Sequence, residues 1–107
     1  MSDQVGRVFA ALADPTRRRM VETLLREETV TVPSLTAALP ITRQAVAKHL
    51  SMLDGAGIVE RAPARGREVP YRVRRGALDP AAAWIRAAET AWDDRLRRLK
   101  DAVELAD

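Results

Sequence analysis

Ile41-Thr-Arg-Gln-Ala-Val-Ala-Lys-His-Leu-Ser-Met-Leu-Asp-Gly-Ala-Gly57 sets an apolar helical face against a polar one. Val46, Leu50 and Leu53 recur at steps of four and three, which gathers them on one helical face that needs a core. Thr42, Arg43, Gln44, Ala47 and Lys48 fall on the other faces, most of them in the first turns. Their side chains are short, amide-bearing or cationic, the types that reach base edges and phosphates. Thr42 is a good N-cap, and Gly57 is a natural stop where φ turns positive. The stretch therefore predicts a helix over 42–56 that packs on one side and meets DNA on the other.

Upstream, Val5, Val8, Phe9 and Leu12 have helical spacing, predicting a short amphipathic helix in residues 3–13. Asp14-Pro15 restarts the chain, with Asp14 as cap and Pro15 at the first helical position. The second helix runs to about Arg26 with Met20, Val21, Leu24 and Leu25 inward. Glu27 to Thr31 reads as a turn and a brief strand. Leu35, Ala38 and Leu39 then form a short helix ended by Pro40, leaving helix-turn-helix spacing before Thr42.

Downstream, Ile58-Val-Glu-Arg-Ala62 and Val69-Pro-Tyr-Arg-Val73 read as two strands, with Tyr71 in their core. The loop at 63–68 between them carries Arg65, Gly66 and Arg67, so the pair forms a basic wing. Pro70 has no amide proton, which makes its strand an edge or irregular there. Asp79-Pro80 repeats the cap-plus-proline start and opens a last helix reaching about residue 105. There Ile85, Ala88, Trp92, Leu96, Leu99 and Val103 follow the helical period as one apolar stripe beside Trp84. Charged residues fill the opposite side. This is more apolar surface than a small winged domain covers alone, and the expected partner is a second copy of the chain. Val5, Phe9, Trp84, Ile85, Ala88, Trp92, Leu96 and Leu99 are the expected dimer interface, from terminal helices at 1–13 and 79–105.

Charge distribution agrees. Residues 41–75 hold eight Lys/Arg against three acids, while the remainder holds ten against twelve. Positive charge is thus concentrated around the 42–56 helix and the wing, as a polyanion-binding face requires. The chain of 107 residues reads as a single domain, mostly α with a small β-hairpin. It contains no cysteine, its start Met1-Ser-Asp-Gln-Val-Gly-Arg7 lacks a signal pattern, and no apolar run nears the ~18 residues of a membrane span. A cytoplasmic protein with no membrane partner is expected. Neither a phosphate-cradling glycine loop nor a nucleophile paired with a base is found, so no catalytic residue and no enzyme activity are expected.

In order along the chain, Ala11-Leu-Ala-Asp-Pro-Thr-Arg-Arg-Arg-Met20, Ile41 through Leu53 with its Lys48-His49-Leu50 turn, Ala56-Gly-Ile-Val59 and Tyr71-Arg-Val73 resemble the ArsR/SmtB family of winged helix-turn-helix repressors. The likeness covers roughly residues 8–75, and the terminal helix is similar in length and character to the family's dimer helix. It implies a homodimeric, sequence-specific DNA-binding regulator that represses from a palindromic operator. The chain departs from the metal-sensing members. Val32 to Leu39 offers no thiolate, the last helix has acids but no histidine, and the chain has one histidine in all. Transition-metal sites need imidazole or thiolate ligands in sets of three or four. The resemblance therefore points to the metal-free branch, with no metal ligand and no cofactor, and with an effector, small molecule or protein, that the residues do not name.

Within this frame Arg43 is expected to fork onto guanine, Gln44 to read adenine, Thr42 and Ala47 to approach the DNA, and Lys48 to meet phosphate. His49 sits at the border of the buried face, where contact and core packing both remain open. Arg65 and Arg67 of the wing are expected at a minor groove or at phosphates. Of Arg17, Arg18 and Arg19, at least one is expected to pair with Glu22, Glu27 or Asp14. The alternative function is a winged-helix module for protein–protein contact, since a fold does not fix its use. RNA is disfavoured because the basic segment lacks clustered aromatics.

Overall fold

The computed structural model describes residues 3–106. In chain order it has α1 (Gln4–Ala13), α2 (Pro15–Arg26), α3 (Val32–Ala38), α4 (Arg43–Gly55), β1 (Val59–Arg61), β2 (Tyr71–Val73) and α5 (Asp79–Ala106). Residues 1 and 2 of the helix expected at 1–13 lie outside the described part.

α1 and α2 meet at Asp14, whose carboxylate accepts the Arg17 backbone N–H at 3.0 Å as the N-cap of α2, with Pro15 behind it. The last carbonyls of α1 have no partner within their own helix and are met by two guanidinium groups. Arg17 donates from Nε to the Ala11 carbonyl at 2.7 Å and from Nη2 to that of Ala10 at 3.3 Å. Arg18 Nη1 donates to Leu12 at 2.7 Å and Ala13 at 3.0 Å. None of Arg17, Arg18 and Arg19 makes an ion pair among the described residues, which corrects the expected salt bridge. Orphan carbonyls at a helix end were the better acceptors. The Arg17 backbone bond, and then the Arg17 charge, hold the Asp14 carboxyl below the usual carboxylate range. A depressed folded-state pKa stabilises above the unfolded value and is lost as pH falls through the folded one. Asp14→Asn is accordingly expected to flatten the acid limb of a thermal-melting profile.

Met20, Val21 and Leu24 of α2 are buried, but Leu25 is 61% exposed, contrary to the expected inward face. It lies about 140° around the helix from Met20, beyond the apolar stripe. α3 opens with a capping box, in which Thr31 Oγ1 accepts the Ser34 N–H at 3.2 Å and Ser34 Oγ accepts the Thr31 N–H at 2.9 Å. α4 is capped by Thr42, whose Oγ1 accepts the Ala45 N–H at 3.1 Å. It stops in a Schellman motif. Gly57 has φ +77°, its N–H donates to the Asp54 carbonyl at 2.9 Å, and the Ile58 N–H donates to that of Leu53 at 3.0 Å. Ile58 and Leu53 are both fully buried and supply the apolar contact that accompanies this ending.

β1 and β2 pair antiparallel, with Val59 opposite Val73 and Arg61 opposite Tyr71. Glu60 binds Arg72 at 2.9 Å and Arg74 at 3.4 Å across this exposed face. Pro70 precedes the regular strand and only accepts, from the Ala62 N–H at 2.8 Å. β2 is nevertheless no edge at Tyr71, because Val30 bridges its other side through bonds of 2.9 and 2.7 Å. The core joins Val8, Met20, Val21, Leu24, Val30, Leu35, Val46, Leu50, Leu53, Ile58 and Val59, with Ala81 from the start of α5, while Tyr71 and Val73 of β2 pack against it partly buried.

α5 is different. Its 28 residues bury only Ala81. Asp79 lies inside the first turn rather than capping it, and the Leu78 carbonyl accepts the Ala82 N–H at 2.9 Å. Near its start the Trp84 ring meets Phe9 of α1 edge-to-face, centroids 5.7 Å apart. Beyond that contact the helix runs free of the core.

Gly55 carries a separable prediction. It is helical, has no positive φ, and an added Cβ would meet nothing within 4 Å. Gly55→Ala is expected to raise stability by about 0.5–1 kcal/mol through lost unfolded-state entropy, read as a shift in urea midpoint at constant slope.

Candidate nucleic-acid interface

The two faces of α4 separate cleanly. Val46, Leu50 and Leu53 are fully buried, whereas Thr42, Arg43, Gln44, Ala47 and Lys48 are all exposed. The N-cap hydroxyl of Thr42 is occupied by its own helix, which fixes where the first turn begins. Arg43 and Gln44 follow at once, at the end where backbone N–H groups and the helix dipole favour anions. Lys48 stands one turn on from Gln44. His49 is half-buried and its Nδ1 is enclosed without a hydrogen-bond partner among the described residues, so the ring belongs to the packed border of the helix.

At the wing tip Arg65 and Glu68 exchange backbone bonds of 3.2 Å around Gly66, whose φ is +64°. This small turn holds Arg65 and Arg67 out as exposed side chains. A cleft of about 370 Å³ separates the wing from the helix-turn-helix, and both Arg43 and Arg67 line it, with Thr31, Val32 and Tyr71. The fold thus brings together two cations that lie twenty-four positions apart in the chain. No spacing rule joins them; the bridge between Val30 and Tyr71 does, by tying the start of α3 to the wing.

The expected dimer residues are distributed as follows. Val5 is half-buried, Phe9 is 37% exposed, and Trp84, Ile85, Trp92, Leu96 and Leu99 are between 42% and 57% exposed; Ala88 is exposed with them. Among the described residues no group of three or more His, Cys, Asp or Glu is placed to hold a metal, and no helix is long and apolar enough to cross a membrane.

A family model described as a helix-turn-helix domain matches residues 12–62, the span from the end of α1 through β1. An ArsR-like transcriptional regulator from Rhodococcus sp. RHA1 has a similar structure over nearly the whole length. It is 38% identical with a TM-score of 0.83, covering 94% of this chain and 91% of that one. The chain belongs to the ArsR family of DNA-binding transcriptional regulators. The family is a regulatory class and not an enzymatic one. This ArsR-family regulator is also 46% identical over 68 residues to the HTH-type transcriptional regulator CmtR of Mycobacterium bovis, which covers 63% of this chain but 55% of CmtR. The homodimeric winged helix-turn-helix DNA-binding domain of Mb0332 from M. bovis, a possible ArsR-family regulator, is 25% identical with a TM-score of 0.63, over 90% of this chain and 84% of that one. Winged helix-turn-helix, mostly helical with one hairpin, is thus the fold that both the sequence and its relatives share.

Proposed function

We propose that this ArsR-family regulator works as a homodimeric repressor that reads a palindromic operator, with α4 in the major groove and the wing alongside. The observation that carries the reading is the division of α4: a fully buried Val46–Leu50–Leu53 face, and an exposed polar first turn next to wing cations. Arg43 and Gln44 are assigned to base edges, Thr42 and Ala47 to close approach, Lys48, Arg65 and Arg67 to phosphates and the minor groove. His49, packed at the border, is assigned a supporting place.

The exposed stripe from Trp84 to Val103 supports a second copy as its cover, in line with the homodimeric state of the Mb0332 domain. A two-fold pair presents two recognition helices to half-sites about one DNA turn apart. Terminal helices α1 and α5 are the assigned dimer elements of a single domain, working in the cytoplasm beside the chromosome. The absence of cysteine and the single histidine support assignment to the family's metal-free branch.

Fluorescence anisotropy on the duplex upstream of the coding region, against a scrambled duplex over a salt series, tests the reading. Binding tighter by ~10³-fold than to the scrambled duplex, two subunits per site, is the expected result. Arg43→Ala is expected to cost about 1–3 kcal/mol and relax base preference. Lys48→Ala is expected to weaken all sequences alike and reduce the salt slope by about one. Equal affinity of the Arg43 variant for the operator would overturn the base assignment.

A further inference from the structure

Away from the DNA face, α1, the start of α2 and the last turn of α4 enclose an open groove of about 310 Å³. Its floor is made by Ala10, Ala11, Met52, Gly55 and Ala56, and its charged members are Arg7 and Arg17. The volume is that of a small-molecule site, with an apolar lining and few polar groups. Two features go beyond concavity. Arg17 Nη1 has the Met52 thioether as its partner, at 3.5 Å, although its Nε and Nη2 bind good carbonyl acceptors. A thioether is a weak acceptor, so this cationic N–H is left poorly matched beside the groove. Arg7 is exposed and makes no ion pair among the described residues. Gly55 leaves open space where any side chain would project, at a helical position that does not require glycine.

We infer that this groove is an effector site for a small apolar carboxylate. The tail lies over Ala10, Ala11, Met52 and the gap at Gly55, while the carboxylate takes the Arg17 Nη1 donor and the Arg7 guanidinium. A charge-assisted bond to a carboxylate replaces the thioether contact, and burial of the tail supplies the rest. The occupant touches α1, which carries Val5 and Phe9 of the assigned dimer face, and the end of α4 opposite its base-reading turn. It therefore bears on the angle between dimer helices and recognition helix, and a ligand preferring one angle shifts the population toward it. The effect on operator binding rests on the DNA reading above; occupancy of the groove does not.

Octanoate, octanol and octylamine titrated into the full-length protein, followed by backbone amide NMR, separate the two. Saturable shifts centred on Arg7, Ala10, Ala11, Arg17, Met52, Gly55 and Ala56, given by octanoate and by neither of the others, are expected. Gly55→Leu, which fills the gap, and Arg7→Gln, at an exposed position, are each expected to weaken octanoate binding at least tenfold with unchanged far-UV spectra. Equal shifts with all three probes, shifts centred on Trp84 and Trp92, or no saturable shift with octanoate would overturn the site. Anisotropy on the operator duplex then reads the coupling, with about a tenfold weaker binding in saturating octanoate expected. A protein that shows the NMR response but binds no operator would refute the DNA reading and leave the groove standing.

Discussion

Leu50→Ala is expected to destabilise the protein by about 2–5 kcal/mol, a large part of the total stability of a domain of this size. Leu50 is fully buried, and it shares one core cluster with Met20, Leu24, Val46, Leu53 and Ile58. Removing its branched end leaves a cavity at the junction of α2, α4 and β1, where close packing leaves little room to collapse. Urea unfolding measures the loss as a lower midpoint. Leu25→Ala is the matched control: at 61% exposure it is expected to stay within about 0.5 kcal/mol of the parent. Comparable losses for the two would overturn the burial of Leu50 against the exposure of Leu25.

Leu96→Asp probes the other apolar surface and is expected to act without unfolding the domain. Leu96 is 46% exposed and lies on the part of α5 that has left the core, so a carboxylate there stays solvated in the single chain, with Lys100 one turn on. In a two-fold pair it would put two charges into an apolar seam, which is costly to desolvate. Sedimentation is expected to show a monomer where the parent is a dimer. Operator affinity is expected to fall by about 10²-fold or more, because the second half-site is no longer delivered by the first. A Leu96→Asp protein that remains a dimer with parental affinity would remove α5 from the interface.

How much of this was legible in the residues differs from element to element. Thr42 and Gly57 bound α4 because caps and positive-φ stops are local, and the structure places both as expected. Asp14-Pro15 was legible for the same reason. Leu25 was misplaced because an apolar residue at the edge of a helical stripe resembles one inside it. The targets of Arg17 and Arg18 were hidden more deeply, since the acceptors are backbone carbonyls and any residue supplies one. Arg43 and Arg67 line one cleft where Val30 meets Tyr71; each of those segments reads as a strand, but nothing in either, forty-one positions apart, names the other as its partner. Local chemistry could be read from the chain; long-range juxtaposition could not.

The Schellman ending of α4 has a further bearing on what the protein reads. Because Ile58 closes back on Leu53 and enters β1 from within the core, α4 passes directly into the first strand of the hairpin. On the proposed reading of the DNA face, α4 and the wing would approach a duplex as one calliper. The distance between the groove floor and the flanking backbone is set by the protein, and the DNA must bend or narrow to fit it. Base steps that deform easily are then expected to be favoured at positions no side chain touches, which would write part of the operator's identity in its stiffness rather than in its hydrogen-bonding edges.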